Sequence, residues 1–152
     1  SLRRQRQMCI RDRSYTTFEL DGFAVKEDQV ATDGVVAVSC RVKNTGERSG
    51  DETVQLYCHF KDAHVTRPNK QLAGFARVHL EAGGEKTVEF ELNTAQLGFY
   101  NEDMEFVVEP GRLELMIGTS SARPEWKTEV MLTGGKRNVA GRRSYTCAVN
   151  VK

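Results

Sequence analysis

The chain has little of what most binding and catalytic classes require. Its 22 lysines and arginines meet 21 aspartates and glutamates, so the net charge is only +1. That balance supplies no field to steer nucleic acid or an anionic membrane, and neither partner is expected. No apolar run approaches the roughly 20 residues that cross a bilayer. The N-terminus lacks a signal peptide's apolar middle region, so export cannot be read from the chain. The four cysteines, Cys9, Cys40, Cys58 and Cys147, form no CxxC pair, and the three histidines stand at no zinc-ligand distance from them. No metal site and no cofactor are expected. Sustained helical periodicity is missing as well beyond one short turn, which favours an all-β class over an α/β architecture.

What is present is ordinary for one globular domain. Hydrophobic residues make up 39% and charged residues 28% of 152 positions, enough for a single core. Residues 1–13 stand apart. Ser1-Leu-Arg-Arg-Gln-Arg-Gln-Met-Cys-Ile-Arg-Asp-Arg13 is basic and aperiodic. A nucleic-acid-binding arm is one reading. However, Gln7 to Arg13 resembles the translation of a transposon-end sequence used in DNA library preparation. The chain is therefore expected to be a metagenomic fragment whose native sequence begins near Ser14, and the leader is set aside as non-native.

From Tyr15 onward, short alternating runs are cut by Gly- and Pro-bearing turns. A first extended segment spans 15–25, bent at Asp21-Gly22. Val30 to Gly34 reads as a hairpin connection, its Asp-Gly pair supplying positive φ. A strand over 35–42 puts Val36, Val38, Cys40 and Val42 on one face. The next, over 52–60, turns Val54, Leu56, Cys58 and Phe60 inward and Tyr57 and His59 outward. Cys40 and Cys58 thus fall at inward positions of successive strands. A buried pair is open, though free thiols acting as core filler are the stronger reading.

Pro68 bars the connection 61–70 from a central strand. Gln71 to Leu80 is a strand in which Leu72 and Phe75 sit unevenly around Gly74, a sign of a bulge or a close backbone approach. Glu85 to Leu92 points Val88, Phe90 and Leu92 inward. Asn93 caps one short helical turn. Strands over 104–108 and 113–117 flank Pro110-Gly111, and 126–132 and 143–151 complete the set. The last carries Tyr145, Cys147, Val149 and Val151 on one side. So many short strands favour an all-β, antiparallel sandwich.

The ordered pieces Ser14-Tyr-Thr-Thr-Phe18, Val42-Lys-Asn-Thr-Gly46, Gly50-Asp-Glu-Thr-Val-Gln-Leu-Tyr57, Arg67-Pro-Asn-Lys-Gln-Leu-Ala-Gly-Phe75, Gly84-Glu-Lys-Thr-Val-Glu-Phe90, Leu97-Gly-Phe-Tyr100 and Val107-Val-Glu-Pro-Gly111 carry a resemblance. With Ile117-Gly-Thr-Ser-Ser121 they look like the fibronectin type III-like domain at the C-terminus of family 3 glycoside hydrolases, the β-glucosidase and β-xylosidase group. The resemblance runs through most of residues 14–132. Residues 133–152 match less clearly and are expected to be a tail with an extra strand. Phe106 stands where many members show tryptophan. The resemblance implies an immunoglobulin-like or fibronectin type III-like sandwich and a parent that hydrolyses β-glycosidic bonds with two carboxylates. Both carboxylates lie in upstream catalytic domains, so no catalytic residue carries over, and this fragment is not itself expected to be an enzyme. Its implied partners are those upstream domains, with carbohydrate near the parent active site.

Weighed as sites, the remaining residues offer little chemistry. Glu102 and Asp103 fall in a turn, where a solvated reading prevails. His59 and His79 occupy outward strand positions. Tyr57, His59, Trp126 and Tyr145 form either a sugar-stacking platform or the cover of an edge or interdomain face. The loop Arg67-Pro68-Asn69-Lys70 is the leading interaction element, since Arg suits a carboxylate on a neighbouring domain. Arg67, Pro68, Lys70 and Tyr57 are accordingly the docking candidates. The alternative function is a stand-alone carbohydrate-binding module, and a more distant one an immunoglobulin-like adhesion or chaperone-contact domain. The parent's compartment, whether periplasmic, extracellular or cytoplasmic, depends on its missing N-terminus.

Overall fold

The computed structural model describes residues 15–152, and the basic leader over 1–13 lies outside the described residues. Alternating apolar residues give twelve strands in chain order: β1 (Phe18–Val25), β2 (Gln29–Ala31), β3 (Val35–Asn44), β4 (Gly50–Phe60), β5 (Gln71–Leu80) and β6 (Glu85–Asn93), then β7 (Phe99–Tyr100), β8 (Phe106–Val108), β9 (Gly111–Gly118), β10 (Trp126–Thr133), β11 (Arg137–Asn138) and β12 (Ala148–Val151). One 3-10 turn, Thr94–Leu97, follows Asn93, whose side chain accepts a hydrogen bond from the Ala95 amide as an N-cap should. The strands form a four-stranded sheet ordered β1-β3-β6-β12, a five-stranded sheet ordered β2-β10-β9-β4-β5, and a small sheet β11-β8-β7. All pairs are antiparallel except β2 with β10.

The two larger sheets bury their facing side chains against each other. Val36, Val38, Cys40, Val42, Val88, Phe90 and Leu92 come from one layer. Val54, Leu56, Cys58, Phe60, Leu113, Leu115, Ile117, Val130 and Leu132 come from the other. Each such side chain gains about 1.5–3 kcal/mol from leaving water. The expected all-β sandwich is therefore the observed one. Cys40 and Cys58 are free and buried, not paired. Burial pushes their thiol pKa values up to about 12 and about 11, so both remain protonated and serve as small apolar filler.

Asn44 ends β3 as a fully buried polar hub. Its Oδ1 accepts from Thr16 Oγ1 at 2.7 Å and from the Gly46 amide at 3.0 Å. Its Nδ2 donates to the carbonyls of Arg48 at 2.7 Å and Leu80 at 3.2 Å. The Lys-Asn-Thr-Gly stretch thus ties β1, β3, β4 and β5 together at one end of the sandwich. A buried amide is tolerated because all these partners satisfy it.

The structure corrects several expectations. Val30 does not belong to a hairpin connection. It is the middle of β2, which joins the five-stranded sheet beside β10, so the turn at Asp33-Gly34 hands the chain from one layer to the other. Gly34 does not adopt positive φ. It is needed for space, since a Cβ there would stand 2.6 Å from Val30 Cγ1. Met104 and Glu105 belong to a turn, and β8 begins only at Phe106. The last strand is limited to Ala148–Val151, with Tyr145 and Val151 exposed. Residues 134–147 instead wrap the sandwich: Val139 is buried, and β12 then pairs with β6.

Candidate docking surface

The loop 61–70 is held at both ends and on its underside. Lys61 pairs with Glu129 and, at 3.4 Å, with Glu114. The Asp62 carboxylate accepts from the Arg112 guanidinium at 2.6 Å and from the Arg112 amide at 2.8 Å. These bonds, the guanidinium first, hold the Asp62 pKa down at about 2. Ala63 and Val65 pack against the core. His59 Nδ1 meets the Pro68 carbonyl at 2.9 Å. The loop therefore presents Thr66, Pro68, Asn69 and Lys70 outward from a fixed base.

Arg67 is turned inward rather than outward. Its guanidinium lies over the Phe99 ring, 5.0 Å from the centroid, and donates to the Leu97 carbonyl at 3.2 Å and to Gln71 Oε1 at 3.5 Å. Burial lowers its pKa. Among the described residues no carboxylate lies within ion-pair distance of it. Lys70 reaches the Ser121 carbonyl at 2.6 Å, and the Tyr57 hydroxyl donates to Gln55. Arg67, Lys70 and Tyr57 thus each contact other parts of this chain, while Pro68 is exposed.

Of the four aromatic and imidazole residues weighed as a platform, Trp126 is not on the face that carries Tyr57 and His59. Trp126 stacks on Phe23 with 5.6 Å between centroids and 7° between planes. It sits opposite the core residue Ile117, whereas Tyr57 sits opposite Met116 on the outward face. Glu102 and Asp103 are exposed in the turn where Asn101 Oδ1 accepts from the Glu105 amide at 2.9 Å. With Glu109, His64 and Lys136 they border a depression of about 340 Å³. Neither acid is enclosed by the apolar surroundings that two-carboxylate catalysis uses to keep one acid protonated. Among the described residues no group of three His, Cys, Asp or Glu could hold a metal ion. His79 is engaged at the surface, its Nδ1 2.8 Å from Asp51 Oδ1 and its Nε2 3.5 Å from Glu81 Oε1.

The sequence reading missed two surface residues. β5 does bulge, with the register against β4 slipping between Leu56 and Tyr57. Gly74 faces inward opposite Leu56, and Ala76, Val78 and Leu80 follow on the buried side. Phe75 and Leu72 are therefore outward, 61% and 48% exposed. Counting by twos back from Leu80 places Phe75 on the solvent side, so this signal was available.

Known proteins share this arrangement. Residues 52–121 match the model of the fibronectin type III-like domain. The chain is 39% identical over 110 residues to a periplasmic beta-glucosidase of Salmonella typhimurium, covering 72% of this chain and 14% of that protein. It is 41% identical over 115 residues to a beta-xylosidase of Formosa agariphila, covering 76% of this chain and 16% of that one. The crystal structure of a beta-glucosidase from Listeria innocua superposes with a TM-score of 0.76 at 36% identity, over 81% of this chain and 17% of that one. The chain thus spans about a sixth or less of the length of such relatives.

Proposed function

We propose, from the match of residues 52–121 to the fibronectin type III-like domain, that the chain is the non-catalytic accessory part of a family 3 glycoside hydrolase. In this reading the parent cleaves O-glycosidic bonds of β-glucosides or β-xylosides, and the sandwich supports its catalytic domains by docking on them. The domain runs over 14–132, and 133–152 form its tail. The observation that carries the reading is the match of most of this chain to a small share of much longer glycosidases. The loop residues Arg67, Pro68 and Lys70, with Tyr57, belong to the docking side, and carbohydrate would be met only where that side borders the parent's substrate entrance. Interdomain contacts of this kind bury about 600–1,500 Å² and are fairly polar.

The test is a chimera in which this chain replaces the matching portion of the Listeria innocua beta-glucosidase. The chimera should be soluble and hydrolyse an aryl β-glucoside, while the same enzyme with that portion deleted should not. A chimera no more active than the deleted form overturns the reading. A stand-alone carbohydrate-binding module would instead give saturable heat when cello- or xylo-oligosaccharides are titrated into the isolated chain.

A further inference from the structure

The two outer faces of the sandwich differ in kind. On the four-stranded sheet, Arg41 pairs with Asp21 and Glu85, and Lys152 with Glu89. That face is mainly polar, and these five charged side chains pair within it. The flank along β5 is different. Leu72, Phe75 and Tyr145 are 48%, 61% and 76% exposed, and with Ala73, Gly74 and Cys147 they line an apolar depression of about 260 Å³. That is space for one or two apolar side chains. β5 is also the terminal strand of its sheet.

Arg67 borders this flank. Its guanidinium bonds Gln71, the residue before Leu72, and the Leu97 carbonyl beside Gln96. Gln96 in turn donates to the carbonyls of Ala73 at 2.6 Å and Tyr145 at 3.4 Å. Arg67 does not line the depression, but it stands beside the start of the same strand as a half-buried cation with no carboxylate within ion-pair distance among the described residues. A cation removed from water without a counter-charge is costly, and an incoming carboxylate relieves that cost.

We infer that the flank of β5, centred on Leu72, Phe75 and Tyr145 and bounded by Arg67, is the face that docks on the catalytic part of the same polypeptide. The partner segment inserts an apolar side chain into the depression and sets a carboxylate against Arg67. Two observations choose this occupant: the charge left open at Arg67, and relatives much longer than this chain whose remaining length must meet the domain somewhere. The inference rests on the accessory-domain reading and moves the centre of docking from the tip of the 67–70 loop to the strand after it.

The experiment uses the chimera described above. A photo-reactive p-benzoylphenylalanine is placed at Leu72, at Tyr145, or at Ala37 on the opposite sheet. Leu72 and Tyr145 should cross-link to the catalytic part with at least tenfold the yield of Ala37. Arg67→Met should lower the Leu72 yield at least threefold, and an unchanged yield overturns the carboxylate contact. Cross-linking mainly from Ala37 overturns the inference while leaving the accessory-domain reading intact. Cross-links joining two chimera chains identify a second copy as the occupant and also overturn it. Cross-linking from none of the three positions, in a chimera as inactive as the deleted enzyme, brings down the accessory-domain reading as well.

Discussion

Replacing Gly74 by alanine tests how the tail is built into the sandwich. Gly74 faces inward on β5, and an added Cβ would stand 2.7 Å from Cys147 Cβ, 3.5 Å from Cys147 Sγ and 3.4 Å from Phe90 Cδ1. Only the first distance is shorter than real Cβ contacts allow, so the conflict is with the tail rather than with the opposite sheet. Overpacking of this kind costs about 1–3 kcal/mol. Alanine also restricts the unfolded chain, which offsets about 0.4–1 kcal/mol. The net loss should be about 0.5–2 kcal/mol, or roughly 2–6 °C in Tm for a domain of this size. The assay is urea denaturation of Gly74→Ala alone and combined with Cys147→Gly or Cys147→Ala. Cys147→Gly removes the obstructing Cβ, so the cost of Gly74→Ala should vanish in that background. Cys147→Ala keeps the Cβ, so the cost should persist. Equal costs in both backgrounds would refute the packing argument.

Other outcomes follow from the same structure. Asn44→Ala strips partners from Thr16, Gly46 and two carbonyls at a buried site, and should cost about 2–4 kcal/mol by denaturation; a loss under about 0.5 kcal/mol would show that water replaces the amide. His79 should titrate above 6.5 by NMR, because its hydrogen bond with the Asp51 carboxylate favours the charged ring. Its contribution to stability is then fully present below the unfolded pKa and is lost as pH rises through the higher folded one; Asp51→Asn should move the midpoint down, and an unmoved midpoint refutes the assignment. Cys40 and Cys58 should resist alkylation at pH 8 until the chain unfolds, since thiolate is the reactive form; modification of folded protein at either position would contradict their burial.

The parts legible in the sequence were those where one face of a strand is buried. β3, β4 and β6 alternate strictly, and their inward residues could be read by counting in twos. The N-cap at Asn93 and the bulge near Gly74 were legible because each has a local chemical cause. What escaped depended on partners distant in sequence. β2 is three residues long and exists because β10 lies beside it, about a hundred positions later. Glycine signals were ambiguous for a related reason: Gly34 relieves a contact with Val30 rather than supplying a turn angle. At the candidate site, residue type singled out Arg67 and Lys70, but the direction each side chain takes was set by Phe99 and Ser121. Leu72 and Phe75 are apolar residues on the outward side of β5, and the bulge beside Gly74 breaks the simple alternation that would show it for Leu72.

The account as a whole stands on the sandwich lending support to chemistry done elsewhere in a longer polypeptide. The most direct test is to incubate the isolated, highly purified chain with aryl β-glucoside and aryl β-xyloside and follow release of the phenol. The expected result is no turnover above buffer. Turnover that co-purifies with the chain and disappears on replacing Glu102 or Asp103 would contradict the account.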